Sequence, residues 1–281
     1  MPEPTCPKCK GECYVIDRTG ERCLARACPC GAECAICGGS GRTFVEKNGY
    51  TYARACLCRA QAARLALFNQ ARLPARCGLD FEGFVPTNDA QARARDVAET
   101  TAHCYRPEAP SKGFLVAGPV GTGKTHLLCA TLRHLTLELG VSARYVEISF
   151  LFSEIRKGFA ANRSGLDAIL PLVDADVLAL DELGKGRGSP FELDTLDELI
   201  ARRYNTNRTT LFATNFLLEA ESSQGSGHVV IDARTVARPP AAELVLRERI
   251  GERIDSRLHE MCHLIQFPPA TEDWRRRDQG R

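Results

Sequence analysis

The sequence has no run of about 20 consecutive apolar residues, the length that a membrane-spanning helix needs, which excludes an integral membrane protein. Its start, Met1-Pro-Glu-Pro-Thr-Cys6, has neither a basic segment nor an apolar stretch, so the sequence predicts no signal peptide and a cytoplasmic location. An excess of one charge is also lacking, because 37 Lys and Arg oppose 35 Asp and Glu for a net charge of +2. This balance excludes a basic coat for non-specific DNA binding but allows a local basic face. The 44% of hydrophobic and 26% of charged residues in a chain of 281 are typical of a globular protein of two domains, or of one with an appendage.

Cysteine, by contrast, is abundant and unevenly distributed. Of the 14 cysteines, ten lie in the first 58 residues. A shift of 28 residues superimposes this segment on itself, and both copies have the spacing C-x2-C-x18-C-x-C. The tripeptide Ala-Arg-Ala precedes the second pair in each copy, and chance does not keep both spacing and flank. The repeated cysteines are Cys6, Cys9, Cys28 and Cys30 in the first copy and Cys34, Cys37, Cys56 and Cys58 in the second.

These spacings predict two tandem zinc ribbons in residues 1–58, each holding one structural Zn²⁺. Two thiolates separated by two residues chelate one side of a tetrahedral ion, and the long interval accommodates a β-hairpin that returns the second pair. Asn48-Gly49 is a typical hairpin turn in the second copy. A unit this small has little core, so the metal would supply its folding free energy. An iron–sulfur protein and a redox cysteine cluster are the alternatives.

Two further cysteines of this segment do not follow the repeat. The counterparts of Cys13 and Cys23 in the second copy are Gly41 and Thr51. We therefore interpret Cys13 and Cys23 as non-ligands that face each other across the first hairpin.

The rest of the chain predicts a connector and a larger domain. A helix over 59–72 and the residues up to 80 form the connector, and residues 81–281 form the second domain. After a helix over 90–104, strands and helices alternate, which is typical of α/β proteins with a central parallel sheet. A Ser-, Gly- and Pro-rich segment, 219–240, is expected to be a surface insertion.

A nucleotide-binding motif opens the second domain. The short apolar strand Phe114–Ala117 leads into a full match to G-x-x-x-x-G-K-[ST], and a helix is predicted from His126 to Leu139. In this context backbone N–H groups surround phosphate oxygens, and the helix N-terminus adds partial positive charge. Lys124 is expected to contact the β- and γ-phosphates and Thr125 to bind Mg²⁺. The alternative is a glycine-rich turn without nucleotide.

Acidic and amide side chains follow two later apolar strands. Asp181 and Glu182 come after Val177–Leu180, and Asn215 follows Thr210–Thr214. Asp181 suits the Mg²⁺ shell, Glu182 suits polarising the attacking water, and Asn215 can hold that water. Strand-end carboxylates that cap a helix are the alternative. The residues predicted to bind ATP and Mg²⁺ are Gly118, Pro119, Val120, Gly121, Thr122, Gly123, Lys124, Thr125, His126 and Asp181.

Three sequence strings give the chain a resemblance to AAA+ ATPases, and more narrowly to the bacterial DnaC/DnaI helicase loaders and the transposition helper IstB. They are Gly-Thr-Gly-Lys-Thr-His126, Asp181-Glu-Leu-Gly184 and Gly251-Glu-Arg-Ile-Asp-Ser-Arg-Leu258. The resemblance covers residues 73–281 and implies a P-loop AAA+ domain that hydrolyses ATP as a homo-oligomer.

The resemblance also implies two catalytic arginines. Arg257 matches an arginine finger that enters the neighbouring subunit's site, and the spacing of Arg249, Arg253 and Arg257 places all three on one face of a single predicted helix. Arg275 resembles the second sensor near the γ-phosphate, with Arg276 and Arg277 as alternatives. Solvated arginines on a surface helix are the other interpretation.

The resemblance further implies a helix that faces single-stranded DNA. The corresponding segment, 149–160, combines aromatics with Arg156 and Lys157, as stacking and phosphate contact require, and Lys185 and Arg187 could add cations. The alternative is that its three aromatics are core residues. These are Phe150, Phe152 and Phe159.

Taken with the resemblance, the sequence predicts an ATP-dependent helicase loader in DNA replication. Its partners would be the replicative helicase, contacted by the ribbons, and single-stranded DNA. Two alternatives remain: an IstB-like transposition helper ATPase, and a zinc-ribbon adaptor whose nucleotide site is a slow switch.

Overall fold

The computed structural model describes residues 6–31, 36–38, 40–47, 50–161, 164–219 and 245–277. Three predicted features lie outside these residues: the ligand Cys34, the turn Asn48-Gly49, and the insertion from residue 220 onward. Among the described helices, none has the length and apolar character to cross a membrane.

The described residues form nine strands and nine α-helices, together with a 3-10 turn at Pro29–Gly31 and a π-helical segment, His134–Leu139, that continues the third α-helix. The strands are β1 (Tyr14–Asp17), β2 (Leu24–Ala27), β3 (Arg42–Lys47), β4 (Tyr50–Ala55), β5 (Gly113–Ala117), β6 (Ala143–Glu147), β7 (Val177–Asp181), β8 (Thr210–Thr214) and β9 (Cys262–Gln266). The helices are α1 (Leu57–Ala71), α2 (Asp89–Cys104), α3 (Lys124–Arg133), α4 (Ile148–Ala160), α5 (Leu166–Asp174), α6 (Pro190–Asn205), α7 (Leu246–Ile250), α8 (Glu252–Met261) and α9 (Trp274–Arg277).

The larger part of the chain is built around a parallel sheet of five strands in the order β6-β7-β8-β5-β9. Because successive strand residues point to opposite faces, Phe114 and Val116 of β5 enter one core cluster and Leu115 and Ala117 enter the other. Residues from α1 to α3 contribute to the first cluster, and residues from α4 to α8 contribute to the second. The predicted α/β class with a central parallel sheet is confirmed.

Local signals place the helices around the sheet. Asn88 caps α2 by accepting from the Gln91 N–H, and Ser189 caps α6 by accepting from the Glu192 N–H, with Pro190 at the first helical position. The predicted helices over 59–72 and 90–104 agree with α1 and α2 to within two residues.

The first ribbon hairpin packs on α1 rather than standing apart. Strands β1 and β2 pair antiparallel, and Tyr14 and Ala25 are buried in the same core cluster as Leu65 and Phe68 of α1. The Asn69 side chain of α1 accepts from the backbone N–H of Ala25 at 2.7 Å and donates to its carbonyl at 3.0 Å. This hairpin is thus anchored to the helix that leads into the α/β part.

The interpretation that Cys13 and Cys23 face each other is wrong. The β1–β2 register places Cys13 opposite Cys28, whose N–H donates to the Cys13 carbonyl at 2.8 Å. Cys23 is fully buried, and its N–H donates to Leu73 while its Sγ donates to Pro74. Cys23 therefore contacts Leu73 and Pro74 of the connector and not Cys13.

The arginine-bearing C-terminal segment is likewise not one helix. Gly251, with a φ of 83°, separates α7 from α8. Most other residues resist this left-handed backbone, so the chain turns here. Arg249 consequently lies on α7 and only Arg253 and Arg257 share α8, which corrects the prediction of three arginines on one helical face.

Candidate functional site

The carboxyl ends of β5, β8 and β7 lie side by side and carry the predicted nucleotide-site residues. The phosphate loop follows β5, Asn215 follows β8, and Asp181 ends β7 with Glu182 directly after it. Neighbouring parallel strands end at the same edge of a sheet, which is where open α/β sheets bind ligands. The order β7-β8-β5 therefore collects three segments that lie far apart in the sequence.

The Lys124 side chain is held within the turn of the phosphate loop. This side chain is 7% exposed, and its Nζ donates to the carbonyl oxygens of Gly118 at 2.7 Å and Pro119 at 2.6 Å. Burial lowers the pKa of Lys124 to about 8, against the opposing effect of Asp181. A phosphate group would stabilise the ammonium form, so this lysine is suited to an anionic ligand.

Asp181 organises the predicted Mg²⁺ position. One oxygen of its buried carboxylate, Oδ2, accepts from the Thr125 hydroxyl and from the Tyr145 hydroxyl, both at 2.7 Å. Its other oxygen accepts from the Glu182 N–H at 2.8 Å. A carboxylate and a hydroxyl side by side are the hard oxygen ligands that Mg²⁺ prefers.

Glu182 lies in a small cluster of charges beside Asp181. Its backbone has a φ of 56°, which is unusual for a residue other than glycine, and its carboxylate pairs with the Lys185 ammonium. Lys185 also lies 3.5 Å from the Glu147 carboxylate at the end of β6. Burial and the neighbouring Glu147 raise the pKa of Glu182 to about 7, and Lys185 opposes the rise. A carboxyl group with such a pKa is suited to accept a proton from water near neutral pH.

His126 points away from the front of the phosphate loop. Its Nε2 lies 2.7 Å from the Asp80 carbonyl, and its ring meets Phe84 edge-on with 5.6 Å between centroids. The connector before α2 thus forms one wall of the loop. Buried Gln91 braces the loop from the same side by donating to the Thr122 carbonyl at 3.0 Å.

The C-terminal segment closes the other side of the loop. The Trp274 N–H donates to the Gly121 carbonyl at 3.0 Å. Gly121 has a φ of 77°, which disfavours other residues, and a Cβ there would lie 1.7 Å from the Asp273 carboxylate, so a replacement would displace the Asp273 side chain. Arg275 lies near enough for its charge to lower the pKa of Lys124, after the larger effect of burial. The sensor role of Arg275 stays a prediction.

The three arginines that the sequence analysis singled out in this segment, Arg249, Arg253 and Arg257, all have partners within the chain. Arg257 and Arg253 both face the Asp197 carboxylate of α6, and Arg253 remains 78% exposed. Arg249 donates to the carbonyl oxygens of Gly184 and Gly186 and stacks over the Phe216 ring. Arg249 therefore braces the loop after Glu182.

Helix α4 presents two of its three aromatics to solvent. Phe150 is 66% exposed and Phe159 is also exposed, whereas Phe152 is buried in the core. Lys157 is exposed, and Arg156 pairs with Glu192 at 3.2 Å. The core interpretation thus holds for Phe152 and not for Phe150 or Phe159.

The ribbon cysteines gather into two groups whose sulfurs all lie within 4.8 Å of one another. The first group is Cys6, Cys9, Cys28 and Cys30, and the second is Cys37, Cys56 and Cys58. The Sγ separations of 3.9 Å for Cys6–Cys28, 3.3 Å for Cys9–Cys30 and 3.5 Å for Cys37–Cys58 bracket the edge of about 3.8 Å that Zn–S bonds of about 2.3 Å give in a tetrahedron. The described thiols therefore fit zinc, which would tie the two ends of each ribbon together.

Four residues of the nucleotide site escaped the sequence analysis: Tyr145, Glu147, Gln91 and Asp273. Each is a common residue outside any motif and reaches the site only through the fold. The one usable signal is positional, since Tyr145 and Glu147 are the third and last residues of β6, the strand next to β7.

Comparison with known proteins gives the family. The family of IstB-like ATP binding proteins matches residues 42–231, more than half of the chain. Protein XkdC of the phage-like element PBSX of Bacillus subtilis (strain 168) is 23% identical over 261 residues, covering 88% of this chain and 87% of XkdC. The replicative helicase loader DnaC of Escherichia coli (strain K12) is 29% identical over 120 residues. That match covers 42% of this chain and 48% of DnaC, so the chain spans about half the length of this relative.

Solved structures share the same fold. A crystal structure of the DnaC helicase loader matches with a TM-score of 0.54 and 26% identity, over 68% of this chain and 97% of that one. A crystal structure of DnaI matches with a TM-score of 0.51 and 21% identity, over 70% of this chain and 90% of that one. With its phosphate loop, acidic strand end and parallel sheet, the chain belongs to the IstB-like family of AAA+ ATP-binding proteins, to which the DnaC-type proteins are related.

Proposed function

We propose that this chain is an ATP-dependent loader of a bacterial replicative helicase that acts in DNA replication. The observation that carries the proposal is the likeness to the crystal structure of the DnaC helicase loader, which extends over 97% of that structure and 68% of this chain. Residues 81–281 would form the AAA+ domain, 59–80 the connector, and 1–58 the zinc ribbons.

Hydrolysis would use the side chains collected at the sheet edge. The loop N–H groups and Lys124 would bind the phosphates, and Thr125 and Asp181 would hold Mg²⁺, which would offset phosphate charge. Glu182 would take a proton from the water that attacks the γ-phosphorus, and Asn215 would hold that water. The bond between the γ-phosphorus and the bridging oxygen breaks as the new bond forms, so ADP and phosphate leave. Arg275 contacts the γ-phosphate from the same chain, and Arg257 reaches it from a neighbouring subunit.

The partners follow from the surfaces that the fold leaves open. Exposed Phe150 and Phe159 with Lys157 on α4 suit stacking and phosphate contact with single-stranded DNA. The zinc ribbons would contact the helicase ring. A finger supplied in trans requires a homo-oligomer in the active state.

The test is a loading assay with the replicative helicase of the host. Tagged chain is incubated with the helicase ring with and without ATP, and helicase transferred to circular single-stranded DNA is measured. We expect association with the ring and ATP-dependent loading that Lys124→Ala abolishes. A chain that neither retains the ring nor increases its loading would contradict the proposal.

The family match favours a second candidate, an IstB-like transposition helper. That activity predicts binding to duplex DNA and retention of a transposase. Running both partners in the same pull-down separates the two functions, since only the true partner would be retained in an ATP-dependent way.

A further inference from the structure

The two hairpins of the ribbon repeat relate differently to the rest of the chain. The first hairpin buries one face, including Ile16 and Ala25, against the core that α1 shares. The 28-residue repeat puts Phe44 and Ala53 at these positions in the second hairpin, where both are exposed and Phe44 is 72% exposed. The described residues of the second hairpin therefore make no comparable contribution to the core.

The opposite face of the second hairpin carries aromatic and cationic side chains. Register pairs Tyr52 with Val45 and Arg54 with Thr43, so these four residues share one face, and Tyr50 lies on it two residues before Tyr52. Tyr50 is 70% exposed and Tyr52 is 54% exposed. We call Thr43, Val45, Tyr50, Tyr52 and Arg54 the tyrosine face.

Acidic residues are absent from the tyrosine face. Glu46, the one acid in the sequence from Arg42 to Ala55, pairs with Thr51 and so points to the other side of the hairpin. Among the described residues of this hairpin, an approaching phosphate would therefore meet Arg54 and two tyrosine rings, with no carboxylate on the same face.

The equivalent face of the first hairpin differs in the residues that would bind an anion. There Arg26 pairs with Asp17 at 3.5 Å. The repeat places Arg54 at the position of Arg26 but Val45 at the position of Asp17, and Arg54 forms no ion pair with any residue that the structure describes. Tyr52 likewise replaces Leu24. The second copy thus has a stacking ring in place of an aliphatic side chain and an arginine free to bind phosphate.

We propose that the tyrosine face binds single-stranded nucleic acid. Alternate residues of a strand lie about 6.6 Å apart, so the two tyrosine rings can each stack on one of two successive unstacked bases. Arg54 contacts a phosphate of the same strand. Aromatic residues on an open β-sheet read single-stranded nucleic acid in this way in RNA-binding modules. A stable protein interface needs about 800 Å² on each partner, which is more than five side chains on a two-stranded hairpin supply.

This surface is distinct from α4 and does not depend on the proposed helicase loading. It comes from a different element, lies before the nucleotide domain in the sequence, and contains no residue of the nucleotide site. Binding at the tyrosine face should accordingly be independent of ATP.

The first experiment measures binding of a fluorescent oligothymidylate of about 15 nucleotides to the full chain without nucleotide. The double variant Val45→Asp, Tyr52→Leu copies the first hairpin's own residues and is therefore compatible with a ribbon. We expect it to weaken binding by about tenfold or more, since it removes one stacking ring and neutralises Arg54. Phe44→Ala, on the opposite face of the same hairpin, is the matched control and should leave binding unchanged.

A second experiment locates the contact in the unaltered protein. Ultraviolet cross-linking to an oligonucleotide containing 5-iodouracil, followed by peptide mass spectrometry, should place adducts on Tyr50 or Tyr52. Unchanged affinity of the double variant at normal metal content, an equal loss in Phe44→Ala, or adducts confined to α4 would each overturn the proposal. Loss of helicase binding with intact oligonucleotide binding would also overturn it, by making the face a protein-docking surface.

Discussion

Lys124 and Glu182 belong to the same predicted site, yet their replacement should affect ATP binding and ATP hydrolysis differently. Lys124 is aimed at the loop carbonyls and would contact phosphates in the ground state, so Lys124→Ala should abolish ATP binding. Glu182 acts on water in the chemical step, so Glu182→Gln should bind ATP and hydrolyse it at least about 100-fold more slowly. Equilibrium binding of a fluorescent ATP analogue and steady-state turnover check both. Equal losses of ATP affinity would show that these roles are misassigned.

Glu147 should contribute to the pH dependence of hydrolysis, because it adds to the effect of burial on the pKa of Glu182. The pKa of Glu182 is raised to about 7, so its proton-accepting form disappears as the pH falls through that value and turnover should fall with it. Glu147→Gln removes a carboxyl group that contributes to the rise, so the acid limb of the pH–rate profile should move to lower pH. Glu154→Gln, which alters an exposed acid of α4, is the control. An unchanged limb in Glu147→Gln would exclude this coupling.

Arg203 should be a major determinant of stability. Its guanidinium is fully buried and donates to the carbonyl oxygens of Leu172, Val173, Ala175, Asp176 and Thr209. Arg203→Leu would leave several buried acceptors unpaired, and we expect the free energy of unfolding to fall by about 3 kcal/mol or more. The adjacent Arg202 forms an exposed i,i+4 pair with Glu198, so Arg202→Ala should cost only about 0.5 kcal/mol. Urea denaturation of both variants distinguishes them, and similar midpoints would contradict the assignment.

The contiguous parts of the nucleotide site were readable from the sequence, and the tertiary parts were not. Glycine spacing and an acid after an apolar strand identify the phosphate loop and Asp181 because the motif and its strand–loop–helix context are local. Gln91 and Asp273 reach the loop from distant segments. Their roles depend on packing that no local pattern encodes.

At the scale of elements, the cysteine repeat makes a prediction about metal. Purified chain should contain two zinc ions, and Cys6→Ser or Cys34→Ser should each lose about one, because each ribbon supplies four thiolates. Cys13→Ser should lose none, since Cys13 is not one of the four thiols that gather in the first group and its Sγ contacts the Gly11 carbonyl. Elemental analysis measures the content. One zinc, or iron, in the unaltered chain would contradict the tandem ribbons.

The two ribbons should also differ in what their loss does to the rest of the molecule. Hairpin β1–β2 shares a core with α1, so Cys6→Ser should lower the melting temperature of the nucleotide domain. Hairpin β3–β4 is exposed, so Cys37→Ser should leave that transition nearly unchanged. Calorimetry with ATP present reports on the nucleotide domain, and equal shifts would contradict this difference.

Periodicity predicted most elements but not where they end or what they pack on. The repeat correctly places both hairpins. The equal spacing, however, gave no sign that the Asn69 side chain hydrogen-bonds to the backbone of Ala25 in the first hairpin. Arginines four residues apart suggested one continuous helix. Gly251 breaks this helix because, without a Cβ, it can adopt a positive φ that ends α7. The glycine between Arg249 and Arg253 was the signal that the sequence analysis overlooked.

For the whole molecule, hydrolysis should need a neighbouring subunit. A guanidinium supplied in trans can be worth about 10³–10⁵ in rate, so Arg257→Ala should be nearly inactive alone. Lys124→Ala should also be nearly inactive alone, because it cannot bind ATP. In a mixture, an Arg257→Ala chain keeps its phosphate loop and can use Arg257 of a Lys124→Ala neighbour, so activity should partly return. Steady-state turnover across mixing ratios is the measurement.

The ion pair with Asp197 adds a requirement to this experiment. Arg257 must leave Asp197 of its own chain to act in trans, whereas Arg253 is already largely exposed. A mixture that stays inactive while both proteins are folded and associated would exclude Arg257 and make Arg253 the next candidate.

The unequal packing of the repeated hairpins has a consequence for how the protein can change over time. When only the first copy of a duplicated module packs into the core, the second copy can accept more substitutions without loss of folding. In a saturation-mutagenesis screen for folded protein, positions 14, 16 and 25 should accept few replacements, while 44, 50 and 52 should accept many. Selection on the second copy would then act mainly through its binding partner. Its sequence could change with that partner without lowering the stability of the nucleotide-binding domain.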